Sequence, residues 1–234
     1  MSGLYHQPPA HHPPEDILVS YAAGSLREPE ALAVATHLAY CPACRRDSAL
    51  LEEVGGVLLA DLPPAPADTP AADGDGVLET LLSRIDEGSA EGATPAPVTA
   101  NSLAEWGLEG LTIPEPLRSY IARTAVRTGW ITLADGIEAL RLDIAQPPAV
   151  AEILRMRPGS VLPTHRHPDQ ELILVIQGRF TEEASAWTGP GGRFSEGDLS
   201  EFDGGTIHTV VAGDDGCVCY RMLAQPVERL EAEA

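Results

Sequence analysis

"GSVLPTHRHPDQELILVIQG", residues 159–178, sets two histidines and a glutamate ahead of an unbroken apolar run, with a glycine at each end. On an extended strand residues two apart face the same way. His165, His167 and Glu171 differ by even numbers, so two imidazoles and a carboxylate can point into one interior. A turn at Pro168-Asp169 is the one feature that can alter this phase. Further on, "GDLSEFDGGTIHTV" (197–210) delivers His208 after a glycine-rich turn, which makes it a candidate fourth ligand from a neighbouring strand. Three imidazoles and a carboxylate suit Zn, Fe, Mn, Ni or Cu, because first-row ions overlap in ligand preference.

The surroundings agree with a strand reading. From about residue 111 the chain becomes short runs rich in Val, Ile, Leu, Thr and Trp, such as "WITLADGIEALRLDI" and "CVCYRML", broken by Gly, Pro and Asp. Regular strand-turn spacing of this kind predicts an all-β sandwich or barrel. The first stretch resembles, spacing for spacing, the GxxxxxHxHxxxExxxxxxG signature of cupins, double-stranded β-helix barrels that hold a metal with three His and one Glu. The second cupin stretch fits less well: Gly197, Gly205 and His208 are in place, but Asp203 replaces the usual proline and Ala212 the usual asparagine. The resemblance implies His165, His167, Glu171 and His208 as ligands of Zn²⁺ or another divalent transition metal. Cys217 and Cys219 share a strand face and are expected to pack as small apolar side chains; a redox role is the alternative.

The N-terminal part reads differently. After a proline-rich start, "EDILVSYAAG" offers a short helix stopped at Gly24, and "SLRE" at Ser25 gives a capping-box pattern before a second helix through "EPEALAVATHLAYC". Pro42 can open a third helix, weakened at Gly55-Gly56. His37 and Cys41 lie four apart near the end of the second helix, and Cys44 follows across the turn. Tetrahedral Zn²⁺ accepts imidazole and thiolate, and a structural site is closed by four protein ligands. An antiparallel hairpin returns this end to the start of the first helix, where His11 and His12 stand; geometry leaves the choice between them open. Residues 63–75 read as linker, "VLETLLSRI" from Val77 as a short amphipathic helix, and 89–110 as a second linker.

Of 234 residues, 15 are basic and 35 acidic, a formal charge of −20 that opposes contact with phosphate backbones and anionic lipid and favours a basic protein partner. No run of 18 apolar residues and no export leader is visible, so a cytoplasmic address with reduced thiols is expected. The stretch "HHPPEDILVSYAAGSL…VATHLAYCPACR" resembles the zinc-binding domain of the ChrR-type anti-sigma factors. That resemblance puts the fourth ligand on His12, beside His37, Cys41 and Cys44, and implies Zn²⁺ there. The expected architecture is α + β in two domains: a zinc-stabilised helical bundle (1–88), a linker (89–110) and an all-β cupin (111–234). The implied function is sequestration of an ECF-type (group IV) sigma factor in a 1:1 complex, with the cupin sensing an oxidative signal such as singlet oxygen or hydroperoxide. The alternative is a metal-dependent cupin enzyme, a dioxygenase or isomerase, with an accessory zinc module; no second, non-ligand acid or base is placed for it.

Overall fold

A computed structural model describes residues 8–63, 74–91, 103–183 and 191–230. Among the described residues the helices α1 (Glu15–Ala22), α2 (Glu28–Tyr40), α3 (Pro42–Ala60) and α4 (Gly74–Glu91) come first. A fifth, α5 (Leu117–Thr124), leads into nine strands. These are β1 (Ala125–Ala134), β2 (Ile137–Leu142), β3 (Val150–Met156), β4 (Val161–Arg166), β5 (Glu171–Glu182), β6 (Arg193–Ser195), β7 (Leu199–Phe202), β8 (Ile207–Leu223) and β9 (Glu228–Arg229).

The sheet runs β1-β2-β3-β8-β4-β9, and β5 adds β6, β7 and β8 as partners, all antiparallel. The 17-residue β8 is the common edge: it pairs with β4 and the end of β5 through its first half, and with β3 and the start of β5 through its second. The sheet therefore curls on itself as a cupin barrel. Gly178 marks where it bends. At φ 77° it sits in a left-handed conformation, and a Cβ there would meet the Gly216 carbonyl oxygen at 2.2 Å.

The apolar run of β5 is buried on both faces, which is why it does not alternate with polar residues. Ile173 and Val175 point into the barrel with Leu154, Phe180 and Val210. Leu172, Leu174 and Ile176 point outward and join Ile17, Leu18, Leu32 and Val34 of the helices in one cluster. The helical unit is thus packed on the outer face of the barrel rather than hung from it by a flexible joint. Tyr220 Oη donates to the Pro29 carbonyl at 2.9 Å, and Tyr40 Oη to the Ile176 carbonyl at 3.2 Å, pinning the two ends of α2.

Several sequence expectations change here. Helix α2 begins at Glu28, and Glu30 supplies one half of a capping box, its carboxylate accepting from the Arg27 N–H at 3.1 Å; Ser25 instead bonds back to the Ser20 carbonyl. Pro29, which lacks an N–H, fits only in a first helical turn, and this sets the start. Helix α4 has 18 residues, longer than the segment expected from Val77. Within the expected 89–110 linker, Leu103 and Leu108 are buried in the shared cluster, so its described end, 103–110, is packed structure; 92–102 lie outside the described residues. The 63–75 linker lies mostly outside the described residues.

Candidate metal centres and the surface around them

Cys41 is both the last cap of α2 and the first of α3; with φ −107° it breaks the helix and turns its thiol back, where Sγ accepts from the Cys44 N–H at 3.4 Å. Pro42 follows at the first helical position. Both sulfurs therefore sit at the start of α3, where free N–H groups and the helix dipole favour thiolate. His37, fully buried in the last turn of α2, presents Nε2 to Cys44 Sγ at 3.4 Å, and His12 brings Nδ1 to 3.5 Å from Cys41 Sγ and 3.3 Å from Cys44 Sγ. The four donor atoms lie within 4.8 Å of one another. Tetrahedral zinc with N at about 2.0 Å and S at about 2.3 Å requires donor separations of about 3.3–3.8 Å, so the donor set fits that ion in kind and in size. Burial pushes the His37 pKa down to about 4 and the Cys44 thiol up to about 12. Neutral imidazole is the ligating form, whereas the thiol needs a nearby cation to ionise.

The barrel completes this site from outside. His37 Nδ1 donates to the Gly197 carbonyl at 2.8 Å, a bond that fixes the tautomer and leaves Nε2 with its lone pair toward the sulfurs. Next in the β6–β7 turn, Asp198 Oδ1 accepts from the N–H groups of Ala10 at 2.7 Å and His11 at 3.0 Å, and Oδ2 lies 3.2 Å from His11 Nδ1. The Leu199 N–H donates to the His11 carbonyl at 3.2 Å. His11 is thus a clamp on the barrel, while its neighbour His12 faces the sulfurs. Burial pulls the Asp198 carboxyl upward, but the N–H donors of Ser195, His11 and Ala10 outweigh it and hold it below the usual range. Gly197, at φ 87°, has no room for a side chain: a Cβ would lie 2.9 Å from both Pro9 Cγ and Tyr40 Cβ.

In the barrel, β4 and β8 are in register at His165 and His208. The Nε2 atoms of His165 and His167 lie 3.0 and 2.9 Å from His208 Nε2. His165 Nδ1 donates to the Pro163 carbonyl at 2.8 Å and His208 Nδ1 to the Glu182 carboxylate, so Nε2 of both rings carries a lone pair. Lone pairs held this close repel unless a cation lies between them. Ligands at about 2.1 Å in right-angled positions are about 3.0 Å apart, so three imidazoles in this arrangement fit a divalent transition ion. Glu171 is buried beside them, its Oε2 3.6 Å from His167 Nε2, but it stands outside the tight trio and also faces Arg221 Nε at 3.8 Å. Burial lowers His165 to about 4 and His167 to about 3, and raises Glu171. Cys217 and Cys219 lie in the barrel core with sulfurs 3.2 Å apart. The space enclosed by His165, Glu171, His208, Arg221 and the surrounding apolar side chains is about 10 Å³, close to the least that holds one water.

Glu182, Gly197 and Asp198 are the site residues that spacing does not reveal. Glu182 has no motif around it, and the Asp198 contacts span 187 and 188 residues of sequence.

Away from both centres the helices leave apolar side chains uncovered. Leu50, Val54, Val57, Leu58 and Leu62 of α3 and its end, and Leu78, Leu81, Leu82 and Ile85 of α4, are all at least 49% exposed. A stripe of this size on two amphipathic helices marks an interaction surface. No helix among the described residues is long and apolar enough to cross a membrane.

A small helical module with a candidate metal cluster, joined to a cupin barrel that supports the cluster's residues, defines a two-part chain rather than a lone cupin. Family models divide the chain in the same way: a zinc-finger model matches residues 15–45 and the ChrR cupin-like domain matches 119–227. The anti-sigma-E factor ChrR of Cereibacter sphaeroides is 33% identical over 220 residues, covering 93% of this chain and 91% of that protein. The crystal structure of Rhodobacter sphaeroides SigE in complex with the anti-sigma ChrR aligns with a TM-score of 0.64 and 30% identity, over 91% of this chain and 98% of that one. The chain belongs to the ChrR family of anti-sigma factors.

Proposed function

We propose that this protein is an anti-sigma factor that holds an ECF-type sigma factor in a 1:1 complex, through the apolar stripes of α3 and α4, in the cytoplasm. The observation that carries this reading is the match to ChrR along nearly the whole of both chains, including the structure in which ChrR is bound to SigE. Physical features support it. The stripes are exposed, and a chain of charge −20 is complementary to a basic DNA-binding partner. His12, His37, Cys41 and Cys44 bind Zn²⁺, which fixes the start of α3 relative to α1 and α2 and so orients the surface that meets the sigma factor.

The barrel is the sensing unit, with His165, His167 and His208 as ligands and Glu171 as the fourth, holding zinc or another divalent ion. The signal is an oxidant of the singlet-oxygen or hydroperoxide kind. A change in the barrel reaches the helices through Gly197 and Asp198, because these hold His37 and the Ala10-His11 backbone directly. The protein works as a regulator, not an enzyme, a reading supported by its match to an anti-sigma factor along nearly the whole chain.

The test is titration of the full chain with ECF-type sigma factors of the same organism. A tight 1:1 complex that His37→Ala or Cys41→Ala abolishes is the expected result. A complex that survives both substitutions unchanged removes zinc as the organiser, and absence of any complex removes the function.

A further inference from the structure

At the open end of the barrel, next to the histidine trio, lies a cavity of about 200 Å³ whose wall includes Arg141, Arg221, Arg229 and His165. In a chain of formal charge −20, three guanidiniums converge here, and among the described residues no carboxylate lines the space. Their counter-charges are behind the wall. Glu152, fully buried, takes Arg221 through Nε at 2.8 Å and faces Arg141 Nε at 2.9 Å, and Glu171 is 3.8 Å from Arg221. Three cations against two buried carboxylates leave a net positive wall even before any metal is counted. A guanidinium carries five N–H donors in a planar fork, and these contacts use only some of them. Arg229 is steered over the cavity by donating from Nη2 to the Leu133 carbonyl at 2.7 Å.

The rest of the lining is mostly aliphatic, with Leu162, Val227 and Leu223 among it. The volume is below the roughly 300–1,000 Å³ of sites for drug-sized ligands. Leu162, His165 and Arg221 also line the interior space at the histidines, so a molecule in the mouth is separated from the metal position by one layer of side chains.

We infer that this mouth is a binding site for a small organic monoanion, a carboxylate bearing a short aliphatic chain, with the anionic end on Arg141 and Arg229 and the chain along Leu162 and Val227. The inference deepens the sensor reading and rests on it: a ligand here pulls on Arg221, which bridges Glu152 and the candidate ligand Glu171, and so bears on the metal site. The geometry offers a route for a small acid to modulate the barrel without entering it.

The experiment is calorimetric titration of the zinc-loaded full chain with butyrate, butyramide and inorganic phosphate at constant ionic strength. Butyrate is expected to bind, butyramide and phosphate at least about tenfold more weakly, and Arg229→Gln to weaken butyrate about tenfold, the loss of one charge-assisted fork. The Arg229 side chain is exposed and its backbone pairs with His165 across β4 and β9, a pairing that Arg229→Gln leaves in place; unchanged melting and metal content check this, and Arg141→Gln is the second variant. Equal binding of butyrate and butyramide, phosphate as tight as butyrate, or butyrate affinity untouched in both variants overturns the inference. Sigma-factor capture by the same preparations is measured in parallel and fails only if the anti-sigma reading itself is wrong.

Discussion

Asp198 and Gly197 turn a cluster of four candidate ligands in one unit into a feature of the whole chain. A carbonyl that fixes the ring of His37 and a carboxylate that fixes the backbone before His12 are outer-shell partners, and loss of such partners typically weakens metal binding about 10–100-fold. Asp198→Asn and Gly197→Ala are therefore expected to lower zinc affinity by about that range in a competition titration, with Gly197→Ala also forcing Pro9 and Tyr40 aside. Wild-type affinity in both variants would show that the barrel does not support the site. The histidines carry a second prediction. His37, His165 and His167 are held by burial at about 4, 4 and 3, below the 6.5 of a free imidazole. Over that window the unfolded chain binds more protons than the native one, so stability falls as pH drops from about 6.5 toward 4 and 3. Denaturant unfolding of metal-free protein at pH 7 and pH 5 is expected to give a lower midpoint at pH 5; equal midpoints would contradict the buried, neutral rings. At this scale the sequence was most legible for residues joined by local spacing, the HxxxCxxC trio and His165, His167 and Glu171, which are separated by even numbers. It could not reveal Asp198, whose partners are 187 and 188 positions away. Neither could it reveal Glu182, where a lone acidic residue has no period to betray it.

At the level of elements, β5 shows how one segment serves two cores: from Leu172 to Ile176 its odd residues fill the barrel and its even ones receive the helices, and past the Gly178 bend Phe180 fills the barrel. The apolar run itself was readable as a buried strand, but which neighbour covered the second face depends on the long-range fold. The same holds for Leu103 and Leu108, whose setting among polar residues and turns reads as linker although tertiary packing buries them. Gly178 is fixed by the bend between β5 and β8. Gly178→Ala brings a Cβ against backbone at 2.2 Å and adds left-handed strain, so a loss of at least about 1–3 kcal/mol in denaturant unfolding is expected. A change below about 0.5 kcal/mol would mean that the bulge lies elsewhere. The stripes on α3 and α4 predict the opposite behaviour. Leu58→Asp and Leu82→Asp, at 64% and 51% exposed, should leave the melting temperature within a degree or two of wild type. Each should weaken sigma-factor binding at least about tenfold in a pull-down titration, and undiminished binding in both would place the interface elsewhere.

For the molecule as a whole, two candidate metal centres of different chemistry are linked by one turn of the barrel. A soft His/Cys cluster lies where the helices meet, and an imidazole trio with Glu171 beside it sits at the end of a barrel whose mouth is lined by arginines. The division into a helical and a β unit was visible in the change of sequence pattern near residue 111. Their close packing was not, since Pro-rich and Gly-rich segments between them read as a loose tether. The most direct measurement is elemental analysis of the full chain, free and in complex with its sigma factor, before and after selective removal of the metal held by His12, His37, Cys41 and Cys44. One zinc at that cluster per 1:1 complex, and loss of the complex when that zinc is taken away, is the predicted result. A complex of the same affinity with the helical site emptied would contradict it.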